Sequence, residues 1–462
     1  MLIRRAELNG LRVDLRLREG RIAEIAEGLP ALPGEDVIDA AGGALLSGLK
    51  DHHLHLHALA AARASVDCGP PAAADAEALA QALRRADGKL PPGQWLRGIG
   101  YHESVAGDLD RHWLDAVVPE RPLRLQHRSG RLWLLNSAAL ALVEQSADDP
   151  LERRDGRATG RLYDADAWLR TRIGGRRPVL GEVSRWLASR GVTGLCDTSH
   201  DNDTAAWSVF AEAQQRGELL QSLRVMGSAA LDAFSCMPGL QRGERKFHLH
   251  DHELPDFDAL CADIRAAHAA DRGVAFHCVS RVDLAFALAA LQEAGVRGGD
   301  RIEHASVCPP EFLEQVGELD LTVVTQPGFI ATRGDAYLRD VEEFDRPWLY
   351  RLRGFLDRGI RLAGSSDAPY GDADPWAAMD AAVRRRTASG QSVAGMESLT
   401  PEQALALFTS PLEEPGSGAP KLEVGAVADL CLLTQPWGVA RNALAQVEVR
   451  ACWRDGRLIS GT

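Results

Sequence analysis

The sequence predicts an α/β fold, a (β/α)8 barrel of the TIM type, accompanied by a small β-sandwich-like domain built from both chain ends. Three observations support this prediction. Eight short apolar runs recur along the chain, helical stretches follow most of them, and both termini contain short β-like segments. Repeated strand–helix units favour a parallel sheet, and eight units favour its closure into a barrel.

Composition narrows the class of protein further. The chain has 462 residues, of which 45% are apolar and 25% charged, and this is ordinary globular composition. The net charge of −13 comes without a basic stripe, which argues against a nucleic-acid partner. No apolar run approaches the roughly 18 residues of a membrane span, and the start lacks the apolar region of a signal peptide. The eight cysteines never pair as C-x-x-C, so we expect reduced thiols and a cytoplasmic protein without membrane contact.

The order of the segments predicts the domain boundaries. The β-like ends are expected to form one composite domain from residues 1–47 and 420–462, because chain termini often lie close together. The barrel is then expected over residues 48–419. Its eight strand-like runs are ALLSGLKDHHLHLH, GVTGLCDTS, SLRVMGSA, RKFHLH, GVAFHCVS, DRIEHAS, LTVVTQP and IRLAGSSDAP.

The spacing of these runs is uneven near the start. Roughly 130 residues separate the first run from the second, and they contain helical and strand-like segments of their own. A structureless loop of that length is uncommon in a compact domain. We therefore predict an inserted subdomain over residues 60–190, lying over the barrel mouth. Later in the chain, Thr400-Pro401-Glu402-Gln403 has the pattern of a capping box and predicts the start of a helix.

The first barrel run ends in a cluster of histidines, Asp51-His52-His53-Leu54-His55-Leu56-His57. Strand side chains alternate, so we expect His53, His55 and His57 on one face and His52 on the other. Two imidazoles two residues apart on an inward face can hold one metal ion from the same side. The alternative is a histidine-rich surface loop.

Other barrel runs carry residue types that bind metals. Lys246 lies in the fourth run, His277 in the fifth, His304 in the sixth and Asp367 in the eighth. Barrel enzymes place their chemistry at the carboxyl ends of the strands. A single histidine after a strand is more often a packed residue, but four such runs together with His53-x-His55 favour a metal centre.

The ordered set of motifs resembles the metal-dependent amidohydrolase superfamily, and within it amidohydrolase family 3, the YtcJ-like group that includes N-substituted formamide deformylase. The resemblance extends over nearly the whole chain. The motifs that carry it are Asp51-x-His53-x-His55, GVTGLCD (191–197), RIEHAS (301–306), GSSDAP (364–369), RPLRLQHRSG with LLNSAAL within 121–140, and KLEVGAVADLCLL (421–433).

This resemblance implies a centre of two divalent ions, expected to be Zn²⁺. His53 and His55 would bind the first ion, and Asp367 would complete that site and act on the water. His277 and His304 would bind the second ion. Lys246 matches a lysine that some members carboxylate so that it bridges the two ions. It is one of only four lysines in an arginine-rich chain, and arginine could not form that ligand. The alternative for Lys246 is a plain charge at a strand end.

The sequence also departs from the family pattern. Ser47 stands where proline is usual, and Arg131 follows Ser129-Gly130 where histidine is frequent. After Lys246, three histidines replace the commoner acidic turn, namely His248, His250 and His252. They share the face of Lys246 if the strand continues. They would then line the pocket or modify the metal site, whereas a solvated loop is the alternative. We name His57, His250 and Arg131 as candidates for contact with the substrate.

The predicted function is hydrolysis of an amide-type carbon–nitrogen bond in a small molecule by a metal-bound hydroxide. Metal binding lowers the pKa of water from about 15.7 to near 7, and Asp367 would carry the proton to the leaving nitrogen. One alternative is a single-metal aminohydrolase, which commonly needs a glutamate where this chain has Ser280. The other is a scaffold protein that has lost its metal. The number of ions, the substrate and a possible homodimer stay open.

Overall fold

A computed structural model describes residues 1–174 and 178–461. Its centre is a sheet of eight parallel strands in which each strand pairs with the next one along the chain. These strands are Leu49–Leu54, Val192–Asp197, Ser222–Gly227, Leu240–His248, Val274–Cys278, Arg301–His304, Thr322–Thr325 and Leu362–Gly364. Every one of the eight predicted runs contains a strand, which confirms the barrel.

The barrel closes just beyond the ends of its first and last strands. The backbone N–H of Asp367 donates to the carbonyl of His53 at 2.8 Å, and the N–H of His55 donates to the carbonyl of Ala368 at 2.8 Å. These two bonds join segments from opposite edges of the sheet. They also bring the histidines of the first strand beside Asp367.

The fourth strand is longer than its apolar pattern suggests. It begins at Leu240, although the predicted run starts at Arg245. The additional residues include Glu244, which lies buried and pairs with Arg224 of the third strand at 2.9 Å. The first half of this strand contains charged residues that pair inside the barrel. Its sequence is therefore not apolar, and hydropathy does not predict it as a strand.

Helices follow the strands and cover the barrel. They are Gly181–Ser189, Thr204–Gln215, Phe257–Ala269, Arg281–Ala294, Pro310–Glu318, Gly328–Asp340, Arg353–Asp357, Pro375–Arg384 and Pro401–Ala406, with a short helix at Trp437–Ala440. The predicted capping box is confirmed, since Thr400 accepts a bond from the N–H of Gln403 and the Gln403 side chain accepts one from Thr400. None of the described helices has the length and apolar character needed to cross a membrane.

Both chain ends build the small β domain. Four N-terminal strands, Leu2–Leu8, Leu11–Arg18, Arg21–Ala26 and Val37–Asp39, form one sheet. A second sheet joins Leu45–Ser47 to the C-terminal strands Leu430–Leu433, Val449–Arg454 and Arg457–Gly461. The two sheets share a core in which Ile3, Leu15, Leu430 and Trp453 are fully buried. The predicted small β-sheets at the two termini are confirmed, whereas the boundaries of the composite domain stay a prediction.

A second compact unit spans His57–Val179. It contains a six-stranded sheet formed by Val66–Asp67, Leu96–Tyr101, Leu123–His127, Leu132–Leu135, Leu151–Arg154 and Arg157–Tyr163. Its helices are Leu56–Arg63, which begins one residue before the unit, Ala76–Asp87, Glu103–Ala106, Arg111–Val117, Ser137–Val143 and Asp166–Arg172. The predicted insert extended to residue 190, whereas Gly181–Ser189 is a helix that packs on the barrel strand Val192–Asp197.

Candidate metal centre

The histidine cluster crosses a strand end and does not continue as a strand. The first barrel strand ends at Leu54, His55 lies in the link, and His57 is part of the helix Leu56–Arg63. The expectation that His53, His55 and His57 share one face of a strand is therefore wrong for His57. At the start of this helix, the backbone N–H of Leu56 donates to Oδ2 of Asp197 at 2.7 Å.

Among the candidate metal ligands, three histidines have one ring nitrogen in contact with a neighbouring polar side chain. The Nδ1 atom of His53 pairs with the carboxylate of Glu303, and that of His304 lies 2.8 Å from Oε1 of Gln326. Nδ1 of His55 lies 3.0 Å from Oγ of Ser199. Because a carboxylate and an amide oxygen only accept, Nδ1 carries the hydrogen in His53 and His304. Their Nε2 atoms then keep a lone pair for a metal ion.

The Nε2 atoms of His53 and His55 lie close to the carboxylate of Asp367. Nε2 of His53 lies 3.5 Å from Oδ1 of Asp367, and Nε2 of His55 lies 3.4 Å from the same oxygen. Among the described residues, neither Asp367 Oδ1 nor His304 Nε2 has a hydrogen-bond partner, although both atoms are buried. Lone pairs that converge with no donor between them repel each other. This donor set fits a divalent cation, which His53, His304 and Asp367 could bind together.

Burial favours the metal-binding form of these imidazoles. Desolvation lowers the pKa of His53 to about 3 and that of His304 to about 3. The pKa of His277 is lowered as well, by burial and by the neighbouring His304 and Lys246. Neutral imidazole is the form that coordinates metals. The histidines thus keep their lone pairs at neutral pH.

Lys246 and His277 are contributed by two neighbouring barrel strands. The rings of His277 and His304 are 4.5 Å apart between centroids. Lys246 is buried, and its Nζ has no hydrogen-bond partner among the described residues. Burial lowers the pKa of this ammonium group, while the carboxylates of Glu303 and Asp367 oppose the shift in part. An unpartnered buried ammonium is costly, so the amine is disposed to lose its proton.

Two of the candidate ligands have an uncommon backbone conformation. The φ angle is 69° at His304 and 53° at Asp367, both in the left-handed region that non-glycine residues seldom adopt. Strict alternation along the strand Arg301–His304 would point His304 away from Glu303. The left-handed turn ends the alternation, and both side chains contact residues of the centre. Strained backbone of this kind concentrates at functional sites.

Sequence reasoning missed the residues that hold the ligands. Arg301 is fully buried, and it donates to the Glu303 carboxylate and, at 2.8 Å, to the carbonyl of His52. A signal for this pair existed, because two charged residues alternate within the apolar run RIEHAS and so share one face. No pattern in the sequence distinguished Ser199 or Gln326.

None of the candidates for substrate contact belongs to the group of His53, His304 and Asp367. The fourth strand ends at His248, so the condition under which His250 and His252 would share its face is not met, and both lie beyond the strand. His250 is exposed, and its ring contacts that of His248 with centroids 4.3 Å apart. Arg131 belongs to the unit His57–Val179 and pairs with Asp164 at 2.7 Å. The substrate roles of His57, His250 and Arg131 stay predictions.

Known proteins share this arrangement of elements over most of the chain. A family model described as the amidohydrolase family matches residues 36–460. N-substituted formamide deformylase of Arthrobacter pascens is 26% identical over 93% of this chain and 90% of its own. The Bacillus subtilis protein described as putative amidohydrolase YtcJ is 24% identical over 92% of this chain and 91% of its own.

Solved structures agree with the fold. An uncharacterised metal-dependent hydrolase of Pyrococcus horikoshii superposes with a TM-score of 0.79 at 20% identity, covering 97% of this chain and 99% of that one. Its counterpart from Pyrococcus furiosus gives a TM-score of 0.75 at 22% identity over 94% and 98% of the two chains. The family match spans nearly the entire sequence, so the chain belongs to the amidohydrolase family and is a metal-dependent hydrolase of carbon–nitrogen bonds other than peptide bonds.

Proposed function

We propose that this hydrolase cleaves an N-substituted amide of a small molecule with the help of two divalent ions, expected to be Zn²⁺. His53, His55 and Asp367 would hold one ion, and His277 and His304 the other. The observation that carries the proposal is the convergence of buried, unpartnered acceptor atoms at His304 and Asp367. Leaving buried acceptor atoms unpartnered costs free energy, and a bound cation removes that cost.

When bound, the ions supply a nucleophilic water at neutral pH and polarise the carbonyl oxygen. Asp367 accepts the proton of the attacking water and delivers it to the leaving nitrogen. Its position supports this role, because Oδ1 faces the ligand nitrogens of His53 and His55 and lacks any donor. Glu303 and Gln326 keep the rings of His53 and His304 in place.

Lys246 is proposed as a carboxylated ligand between the two ions. Its neutral amine attacks the carbon of carbon dioxide, a nitrogen–carbon bond forms while one C=O π bond opens and leaves its electron pair on oxygen, and the nitrogen loses one proton to solvent. The resulting carbamate is an anion, and it offsets part of the positive charge of the ions. The burial of Nζ and its lack of a partner support this step, since a modified lysine replaces an unsatisfied ammonium with a metal ligand.

The substrate class is proposed from the relatives and from one residue of this chain. One relative is named for acting on N-substituted formamides. The competing deaminase hypothesis needs an acid at position 280, where the Ser280 side chain instead caps the helix Arg281–Ala294. We therefore expect an amine and a carboxylic acid as products, and no ammonia. A panel of N-substituted formamides, acetamides and aminopyrimidines, assayed for amine and for ammonia, distinguishes the two hypotheses.

Elemental analysis tests the metal centre directly. Protein produced with ample metal should contain about two equivalents of a transition metal per chain. A content below about 0.2 equivalents would contradict the metal centre, because a folded site of this kind retains its ions. A content of one equivalent in fully active protein would contradict the second ion.

Substitution of Lys246 tests the bridging ligand. Lys246→Ala should lose the second ion and most of the activity, and short carboxylic acids should restore part of both by replacing the carbamate. Lys246→Arg should fail as well, because guanidinium keeps its proton at working pH. Lys421→Ala, at an exposed position, is the control for the loss of a lysine. Two bound ions and full activity in Lys246→Arg would contradict the carboxylated lysine.

A further inference from the structure

A line of imidazoles leads outward from the metal centre. The ring of His277 contacts that of His248, with centroids 4.2 Å apart, and His248 contacts His250 at 4.3 Å. His250 in turn contacts His252 at 5.5 Å, and His200 lies 5.1 Å from His248. We call His200, His248, His250 and His252 the histidine path.

The path connects the buried centre with solvent. His277 is half-buried, whereas all members of the path are exposed, and the side chain of His252 is 76% exposed. His248 ends the fourth barrel strand, and His250 and His252 lie in the loop that follows it. Successive rings are close enough that an ion bound at one pair has the next imidazole within reach.

The imidazoles of the path differ from the resident ligands in how they are held. His53, His55 and His304 each have Nδ1 fixed by a neighbouring side chain. Within residues 1–174 and 178–461, no hydrogen bond to a ring nitrogen of His200, His248 or His250 is seen, and the ring contacts of these residues are with other histidines. Loss of such supporting bonds weakens a metal site by about 10- to 100-fold. Ions should therefore bind the path weakly and leave it readily.

The number of donor atoms leads to the same conclusion. The described part of the centre brings donors of His53, His304 and Asp367 within 4.8 Å of one another. The path does not gather three donors in this way among the described residues. Two imidazoles leave most coordination positions of an ion to water, and such an ion exchanges its ligands easily.

We propose that the histidine path loads the metal centre: it takes transition-metal ions from solvent and passes them to His277. This inference rests on the proposed function, since it presupposes that His277 binds an ion. Each step exchanges a water ligand for an imidazole nitrogen and then one imidazole for the next. No covalent bond to carbon forms, and no electron is transferred.

The kinetics of metal uptake test the path. The full-length protein is stripped with a chelator and mixed with one equivalent of Zn²⁺ in the presence of a chromophoric chelator that reports free ions. We expect the double variant His250→Ala/His252→Ala to take up Zn²⁺ about five- to tenfold more slowly, with an unchanged final content. His112→Ala removes an exposed histidine elsewhere and should match the unaltered protein.

Each other outcome has a distinct meaning. An unchanged rate of Zn²⁺ uptake in the double variant overturns the path. This holds also if the variant has an altered KM for a substrate, because the histidines would then act on substrate binding and not on metal uptake. A lower final zinc content also overturns it, because the histidines would then be resident ligands. If the unaltered protein takes up no Zn²⁺, the metal centre itself fails and the path fails with it.

Discussion

At the scale of single residues, the buried carboxylate of Glu303 supports the candidate metal centre without being one of its candidate ligands. Glu303 is fully buried and pairs with Nδ1 of His53, and Arg301 compensates its charge. Burial alone would raise the pKa of Glu303, but the charge of Arg301 holds it well below its usual range. Glu303 therefore stays ionised and fixes the ring orientation of His53.

Replacement of this carboxylate should weaken metal binding. Glu303→Gln keeps the shape of the side chain but removes the charge that makes His53 a stronger ligand. We expect the affinity for Zn²⁺ to fall about 10- to 100-fold, measured by competition with a chelator of known affinity. The loss of Zn²⁺ affinity should be large compared with any decrease in the unfolding temperature of the variant.

A second buried carboxylate provides the matched control. Glu397 is buried and pairs with Arg351 at 2.9 Å. Glu397→Gln should lower the unfolding temperature and leave the Zn²⁺ affinity unchanged. Equal affinities in the two variants would show that Glu303 acts only on the fold.

The same residues mark the limit of sequence reasoning. His53, His277 and His304 were predicted because each lies near the end of an apolar run, which is a local pattern. Glu303 and Gln326 act on rings that other strands supply, so their role depends on the register between strands. The charges of Arg301 and Glu303 do stand out within the run RIEHAS, but the rings that Glu303 and Gln326 contact are set only by the folded barrel.

At the scale of elements, two helices begin with the same capping arrangement. The side chain of Ser280 accepts a bond from the N–H of Asp283, as that of Thr400 does from Gln403. In both helices the side chain of the third residue accepts a hydrogen bond from the backbone N–H of the capping residue. Ser280 lies three residues after His277, where the deaminase hypothesis needs an acid.

This pair of helices separates a structural role from a chemical one. Ser280→Ala and Thr400→Ala should each lower the free energy of unfolding by about 1 kcal/mol, measured by urea denaturation. We expect kcat to stay within about twofold in both variants, because the caps orient helices and move no proton. Loss of activity in Ser280→Ala alone, at equal stability, would assign Ser280 a part in the reaction.

Elements were predictable wherever one pattern dominated. The apolar run GVTGLCD became the strand Val192–Asp197, and the capping box fixed the helix Pro401–Ala406. The fourth strand was truncated in the prediction because Glu244 and Arg224 satisfy each other inside the barrel. His250 was misplaced for a related reason, since alternation alone does not show where a strand stops.

At the scale of the whole molecule, the two ends of the chain stabilise each other. Trp453 is fully buried in the core shared by the terminal sheets, and its indole Nε1 lies 3.1 Å from Sδ of Met1. The antiparallel pairing of Leu430 with Ser47 joins the same two regions through the backbone. The sequence predicts this domain because short β-like segments stand at both ends and chain termini often lie close together.

Removal of the Trp453 side chain should therefore destabilise the strands at the N-terminus. Trp453→Ala leaves a large cavity and should cost about 3–5 kcal/mol in the stability of the β domain. We expect faster amide hydrogen exchange in the strands Leu2–Leu8 and Leu11–Arg18, and deletion of residues 435–462 should have the same effect. The barrel strand Val274–Cys278, which is buried elsewhere, should keep its protection.

Trp437 provides the control for the loss of an indole near the same terminus. It is half-buried, and its Nε1 donates to Glu402 at 3.1 Å, outside the shared core. Trp437→Ala should leave exchange in Leu2–Leu8 unchanged. If Trp453→Ala lowers stability while the N-terminal strands keep their protection, the two sheets unfold independently, and the terminal domain is not one cooperative unit.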